Sequence, residues 1–181
     1  LLLQLPGRTM PADRSGSLKL NVLGIEGKDF TAKWTDIKDI DFWEKRLERE
    51  TKERIARGDF KGAYPFMSVL IRDFPNRAGL RELRCEFLWL DAVARAKRKE
   101  LAPTLAMLEE LRRYAPEYKR SLVLDAIGRT TDQLMQQLMD AGDLDLAQKM
   151  LARLEKDYAN DNLQSIKKWN AEFLRMATAK Q

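Results

Sequence analysis

The feature that most constrains the fold is a helical pattern that occurs three times, at intervals of 41 and 43 residues. The stretches "GDFKGAYPFMSVLIRDFP" and "GDLDLAQKMLARLEKDYA" show it most clearly. Each copy has a turn residue, an apolar residue, a small residue, a Leu or its equivalent on the helix face, and a closing residue at matching places. In chain order these are Gly58, Lys99 and Gly142; Phe60, Leu101 and Leu144; Ala63, Thr104 and Ala147; Leu70, Leu111 and Leu154; Pro75, Pro116 and Ala159. Copies at a near-constant period are typical of stacked helical hairpins.

Residues 1–41 have a different pattern. The segments LKLNVL and FTAKW alternate apolar and polar residues, as half-buried strands do, and the turn-forming GIEGKD separates them. Before them, LPGRTMPADRSGS has the composition of a linker. An isolated hairpin is marginal in water, so we expect it to pack on the helices.

The sequence therefore predicts a mainly α fold in two parts. Residues 1–41 form a linker and a short β-hairpin, and residues 42–181 form about three α-hairpins and a C-terminal capping helix. Asp41 and Glu44 fit a capping box before a helix over 42–57. Longer first helices are expected at 79–97 and 119–141.

Amphipathic patterns indicate where each helix lies in the stack. The helix over 79–97 is apolar on two sides, as a central helix must be, and Phe87 and Leu88 are its expected core residues. Asp91 interrupts this surface, and we expect it to pair with Arg95 at the solvent edge. The last helix shows apolar residues on one side only, which is typical of a cap: Leu163, Ile166, Trp169, Phe173 and Ala177.

Residue usage argues against most enzyme chemistry. The chain of 181 residues contains no His and a single Cys, Cys85. The missing His excludes His-based triads and His zinc sites, and neither a Walker A motif nor a Gly-x-Ser-x-Gly motif occurs. Asp143 and Asp145 lack the rest of a calcium loop and are interpreted as a helix cap and a first-turn acid. We predict a non-enzymatic protein with no cofactor and no metal.

No membrane insertion is expected, because no apolar run reaches the roughly 20 residues that a spanning helix needs. The opening LLLQLPG is too short for a signal peptide and lacks its basic start. Because the sequence does not begin with Met, we expect a processed chain or a piece of a longer one.

Two resemblances follow from these segments. The order Gly58-Asp59-Phe60-x-x-Ala63, closed by Pro75, resembles the tetratricopeptide (TPR) repeat, although that family's period is about 34 residues. The resemblance implies a TPR-like α-hairpin repeat array.

The whole chain is also similar to the N-terminal helical region of very large bacterial substrate-binding proteins of peptide-type ABC transporters. The similarity lies in the Leu-Pro-Gly-Arg lead, the segment Trp-x-Asp-Ile-x-x-Ile, and the stretches GDFKGAYPFMSVLIRDFPN and LARLEKDYAND. It implies an accessory module of a larger exported protein, in the periplasm or at the cell surface. The residues themselves leave a cytoplasmic location open.

A protein-interaction or scaffold module is the function that these features favour. The partner would be a protein, a peptide or another domain of the parent chain, and the oligomeric state stays open. In stacked hairpins the first helix of each pair commonly lines the concave side, which nominates one set of candidate residues: Arg49, Lys52, Trp89, Lys97, Arg129, Asp132 and Gln136. For Trp89, packing between repeats is the alternative to a binding role.

Nucleic-acid binding is the alternative function. It would use the basic clusters Lys97-Arg98-Lys99, Arg112-Arg113 and Lys119-Arg120. The net charge of +5 is small for such a role, and cations near helix C-termini are expected from the helix dipole alone. Nucleic acid is therefore the less favoured partner.

Overall fold

The computed structural model of the chain describes residues 3–4, 15–22, 29–37 and 42–178. It divides into two compact units, within residues 1–46 and 47–181. The described helices are α1 (Trp43–Ala56), α2 (Phe60–Asp73), α3 (Leu80–Lys97), α4 (Leu101–Tyr114), α5 (Arg120–Asp140), α6 (Leu144–Asp157) and α7 (Gln164–Thr178). The predicted mainly α fold with an N-terminal hairpin is confirmed.

The hairpin consists of two antiparallel strands, β2 (Ser17–Val22) and β3 (Asp29–Lys33). In their register Leu18 lies opposite Ala32. A short strand that the sequence did not predict, β1 (Leu3–Gln4), pairs antiparallel with β2 and makes the sheet three-stranded. Two residues are too few to show an alternating pattern, so this strand has no sequence signal.

The predicted apolar alternation of the second strand holds only in part. Trp34 is buried together with Leu18, but it begins a 3-10 turn (Trp34–Asp36) instead of ending the strand. Phe30 is 57% exposed. Of the predicted turn GIEGKD (24–29), residues 24–28 lie outside the described residues, as do most of the linker and the Asp41 cap, and Asp29 begins β3. Packing of the hairpin on the helices stays a prediction.

The threefold sequence pattern has a counterpart in the backbone. Helices α2, α4 and α6 each contain 14 residues. Before them, Gly58, Lys99 and Gly142 have left-handed φ values of 74°, 61° and 77°. The small and Leu positions of all three helices are at most 1% exposed: Ala63, Thr104, Ala147, Leu70, Leu111 and Leu154. The seven-helix arrangement is compatible with helical repeats.

The helices of the larger unit share two buried clusters. The main cluster includes Leu47 of α1, Leu70 of α2, Leu88 of α3, Leu108 of α4 and Ile127 of α5. The second cluster joins α5, α6 and α7 through Met135, Ala147, Leu151 and Trp169. Burying an aliphatic or aromatic side chain contributes roughly 1.5–3 kcal/mol, so these clusters are the main source of stability.

Two details of the charge pattern differ from expectation. Asp91, expected at the solvent edge, is 4% exposed, and Arg95 donates to its carboxylate over 3.0 Å. It can remain buried because a charge inside a protein is tolerated when it is paired. Asp143 occupies the N-cap position of α6 but its side chain makes no capping hydrogen bond, whereas the Asp59 carboxylate accepts one from the Gly62 N–H at 2.9 Å.

The capping helix α7 also departs from its predicted pattern. Leu163 and Trp169 are buried as expected, and Phe173 is half-buried. Ala177, predicted on the buried side, is exposed, and Leu174 on the outer face is 68% exposed. Leu174 thus interrupts an exposed face that also carries Lys167, Lys168 and Asn170.

Candidate binding groove

The larger unit contains two neighbouring hollows that share three lining residues. The first hollow has a volume of about 320 Å³ and lies between the α4–α5 turn and the α6–α7 turn. The second hollow, about 630 Å³, follows α5 and the start of α7. Arg120, Leu124 and Asp161 line both hollows. The two hollows therefore adjoin at these residues, and the pair is called here the α5 groove.

Two turns with a similar hydrogen-bond pattern line the first hollow of the α5 groove. After α4, the Ala115 N–H donates to the Leu111 carbonyl at 2.8 Å, and the Tyr118 N–H donates to the Ala115 carbonyl at 3.0 Å. After α6, the Asp161 N–H donates in the same way to the Tyr158 carbonyl at 3.0 Å. These hydrogen bonds fix the turns, so the residues that they carry are held in place.

Asp161 is the charged centre of the first hollow. Its side chain is only 7% exposed, and it accepts hydrogen bonds from Arg112 and, at 3.1 Å, from Arg120. The Arg112 guanidinium lies 4.3 Å from the centre of the Tyr158 ring, and burial raises the pKa of the Tyr158 phenol. The network ties α4, the start of α5 and the α6–α7 turn together.

Close contact between α5 and α7 forms one wall of the second hollow. The Ser165 hydroxyl donates to the Gly128 carbonyl at 2.9 Å, and a Cβ placed on Gly128 would lie 3.1 Å from that hydroxyl oxygen. One turn further on, the Trp169 indole N–H donates to Asp132 at 2.9 Å, and Lys168 pairs with the same carboxylate at 3.3 Å. The absence of a side chain at residue 128 therefore allows α7 to approach α5 closely.

Several polar groups of the groove remain available for a ligand. Arg113 in the first hollow and Asp125 and Arg129 in the second are exposed, and none of them forms an ion pair or hydrogen bond within the described part of the chain. Half-buried Leu124 adds apolar surface where the hollows meet. Such a lining suits an extended peptide, which offers main-chain hydrogen bonds, charges and apolar side chains together.

The structure brings together two of the seven sequence-predicted surface residues. Arg129 and Asp132 both line the second hollow. The other five line neither hollow: Arg49, Lys52, Trp89, Lys97 and Gln136. The proposed binding role of the seven stays a prediction.

Local contacts account for three of those five. Lys52 pairs with Glu48 at 2.5 Å, and the Gln136 amide donates to Asp140 at 2.8 Å, each within its own helix. Trp89 is half-buried against the main cluster, and the Lys119 ammonium lies 5.5 Å from the centre of its ring. Packing thus accounts for much of the Trp89 surface.

Sequence reasoning did not assign Arg112, Arg113, Arg120 or Asp161 to a site. The arginines were noted as parts of basic clusters, and that was the only signal available. Asp161 lies 41 residues from Arg120 and 49 from Arg112 along the chain. A sequence pattern does not reveal a contact of that separation.

Within the described residues, no group of three or more His, Cys, Asp or Glu side chains could hold a metal ion. Cys85 is 2% exposed, and burial raises the pKa of its thiol, which makes it a poor nucleophile. None of the described helices combines the length and the apolar character needed to cross a membrane.

Comparison with known proteins gives no match: no family model, no curated protein and no solved structure is similar to this chain. Function therefore has to be inferred from the groove and the fold.

Proposed function

We propose that this chain is a non-enzymatic protein-interaction module that binds an extended peptide segment of its partner in the α5 groove. The observation that carries the proposal is that the two hollows adjoin beside α5, where they share Arg120, Leu124 and Asp161. From Arg120 to Asp132, α5 rises about 18 Å. An extended chain covers that distance with about five residues.

The surroundings of the groove support tight binding without rearrangement. The Arg112–Asp161–Arg120 network fixes one end, and the Gly128–Ser165 contact fixes the other. A preformed site loses little conformational entropy when its ligand binds. The unpaired Asp125 and Arg129 then provide directional contacts that select among peptides.

The charge of the groove favours a peptide over nucleic acid. Three carboxylates line it beside four guanidinium groups: Asp125, Asp132 and Asp161 with Arg112, Arg113, Arg120 and Arg129. A phosphate backbone needs a continuous basic track, which these carboxylates interrupt. The aromatic residue in the lining is Tyr118, and the Lys119 ammonium lies 5.3 Å from its ring centre. The cation occupies one face of that ring, which leaves at most the other face for base stacking.

A random-peptide library displayed on phage tests the groove directly. We expect the purified chain to enrich peptides, and Ser121→Trp, which fills the second hollow, to abolish their binding. Gln133→Trp is the matched control, because Gln133 is an exposed residue of the same helix outside both hollows. Binding that survives Ser121→Trp, or the absence of any enriched peptide, would contradict the proposal.

We further propose that the chain is a TPR-like accessory module near the N-terminus of an exported substrate-binding protein, so that the bound segment could belong to the parent chain. The support is the sequence similarity of the hairpin segment and of the helical stretches. Sequencing the full gene and fractionating its host cells tests this placement. We expect a signal sequence and an extracytoplasmic product; a full-length product confined to the cytosol would contradict it.

A further inference from the structure

The first hollow carries more positive charge than its own carboxylate balances. We infer that the first hollow binds two side-chain carboxylates of an acidic segment in the partner protein. This inference rests on the proposed peptide groove. Three guanidinium groups and one carboxylate line the first hollow, which leaves an excess of two positive charges: Arg112, Arg113, Arg120 and Asp161.

Two of the three guanidinium groups are free to contact a ligand. Arg120 is 64% exposed, and its bond to Asp161 uses one of the five N–H donors that a guanidinium has. Arg113 is exposed and has no ion pair within the described residues. Each can therefore offer two parallel N–H groups to a carboxylate, the strongest geometry for this pair.

Arg112 has a different role. It is 27% exposed, lies over the Tyr158 ring and donates both to Asp161 and to the Asp157 carbonyl. Both bonds are made by one terminal nitrogen, Nη2, whose acceptors lie at the end of α6 and in the turn that follows, so Arg112 positions Asp161. Asp161 in turn holds Arg120 in the hollow.

The excess of two charges distinguishes side-chain carboxylates from a chain terminus. A C-terminal carboxylate supplies one negative charge. The first hollow also adjoins the second at Leu124, so a bound segment that extends beyond the arginines has a further hollow beside it. In an extended peptide, residues i and i+2 point to the same side, about 7 Å apart. An acid-x-acid pattern therefore places both carboxylates on the arginine side.

Fluorescence anisotropy with a defined probe tests this inference. The probe is the labelled peptide Gly-Ser-Glu-Leu-Glu-Gly-Ser with blocked termini, compared with the same peptide carrying Gln for both Glu. We expect the Glu peptide to bind at least about 10-fold more tightly at low salt, as for hydrogen bonds between charged groups, and 0.5 M salt to remove most of that preference.

Protein variants locate the effect in the first hollow. Arg113→Gln and Arg120→Gln should each weaken binding of the Glu peptide about 3- to 10-fold and leave the Gln peptide unchanged, in the range of exposed charged contacts. Arg57→Gln removes the same charge from an exposed arginine outside both hollows and should have no effect. Because Arg113 has no partner to lose, its replacement leaves the fold intact, as circular dichroism can verify.

The outcomes separate this inference from the proposed function. Suppose that the Glu and Gln peptides bind with equal affinity while Ser121→Trp still abolishes binding of the library peptides. This result would overturn the acidic specificity but would not contradict peptide binding in the groove. Binding that requires a free C-terminus would overturn the side-chain assignment. A preference for single-stranded RNA over the Glu peptide, lost in Arg113→Gln, would replace the peptide by a phosphate ligand.

Discussion

At the scale of single residues, different side chains fill the same structural role in the three copies. Lys99 adopts the left-handed backbone conformation that Gly58 and Gly142 adopt without a Cβ, at a cost of about 1–2 kcal/mol. Thr104 takes the place of Ala63 and Ala147 because its hydroxyl donates to the Glu100 carbonyl at 2.7 Å. The polar atom is thereby satisfied where the helices are in close contact.

Leu88→Ala tests the position of the core. Leu88 is 3% exposed and belongs to the main cluster. We expect the free energy of unfolding to fall by about 2–5 kcal/mol, because the lost contacts leave a cavity. Leu122→Ala, at a Leu that is 52% exposed, should change it by less than about 0.5 kcal/mol. Urea denaturation measures both, and equal effects would place the core elsewhere.

Asp59→Asn tests the cap of α2 through its pH dependence. The hydrogen bond from the Gly62 N–H, opposed by partial burial and aided by Arg54, lowers the pKa of Asp59 from its ordinary value of 3.8. A lowered folded-state pKa adds stability above the unfolded-state value and loses it as the pH falls through the folded value. The difference in unfolding free energy between wild type and Asp59→Asn should be constant near neutral pH. It should shrink as the pH falls below about 4.

Asp143→Asn is the matched control for the Asp59 experiment. Asp143 occupies the same N-cap position in α6, but its side chain makes no capping hydrogen bond. Its replacement should lower the unfolding free energy at neutral pH by less than Asp59→Asn does, because no capping hydrogen bond is lost. The two variants should therefore differ near neutral pH, and the difference should shrink as the pH falls below about 4. Identical profiles would mean that the Asp59 hydrogen bond does not contribute.

At the scale of elements, α5 is the helix on which the candidate site depends. One side of it carries Val123, Ile127 and Met135 into the buried clusters. Another side carries Leu124, Arg129 and their neighbours into the groove. A helix of 21 residues is long enough to do both. Its contact with α7 sets the width of the second hollow.

A double-mutant cycle at Gly128 and Ser165 tests that contact. In an open helix interior Gly→Ala stabilises by about 0.8–1 kcal/mol. Here the new Cβ would lie 3.1 Å from the Ser165 hydroxyl oxygen, so Gly128→Ala should stabilise little or destabilise. In the Ser165→Ala background the obstructing oxygen is gone, and Gly128→Ala should be more favourable by about 1 kcal/mol. Additive effects on the unfolding free energy would show that α5 and α7 are not in close contact.

At the scale of the whole molecule, the sequence predicts the helices well because their signals are local. The left-handed turns, the buried small residues and the Leu positions recur at a fixed spacing, so the ends of α2, α4 and α6 follow from the copies. Asp91 was misplaced because the polarity of one residue does not reveal whether a neighbouring helix covers it. Strand β1 was missed because it contains only two residues.

The groove could not be predicted because its parts are distant in the chain. Arg129 and Asp132 were nominated from their helix, and they do line the second hollow. The first hollow needs the α6–α7 turn beside the start of α5, a juxtaposition that only tertiary packing creates. The sequence showed that the arginines belong to basic clusters. It did not indicate that Asp161 accepts hydrogen bonds from two of them.

The most direct test of the account is NMR titration of the 15N-labelled chain with a peptide selected from the library. If the α5 groove is the binding surface, amide shifts should concentrate in residues 112–132 and 160–165. Shifts centred instead on Arg49, Lys52, Trp89 and Lys97, with residues 112–132 and 160–165 unchanged, would contradict it.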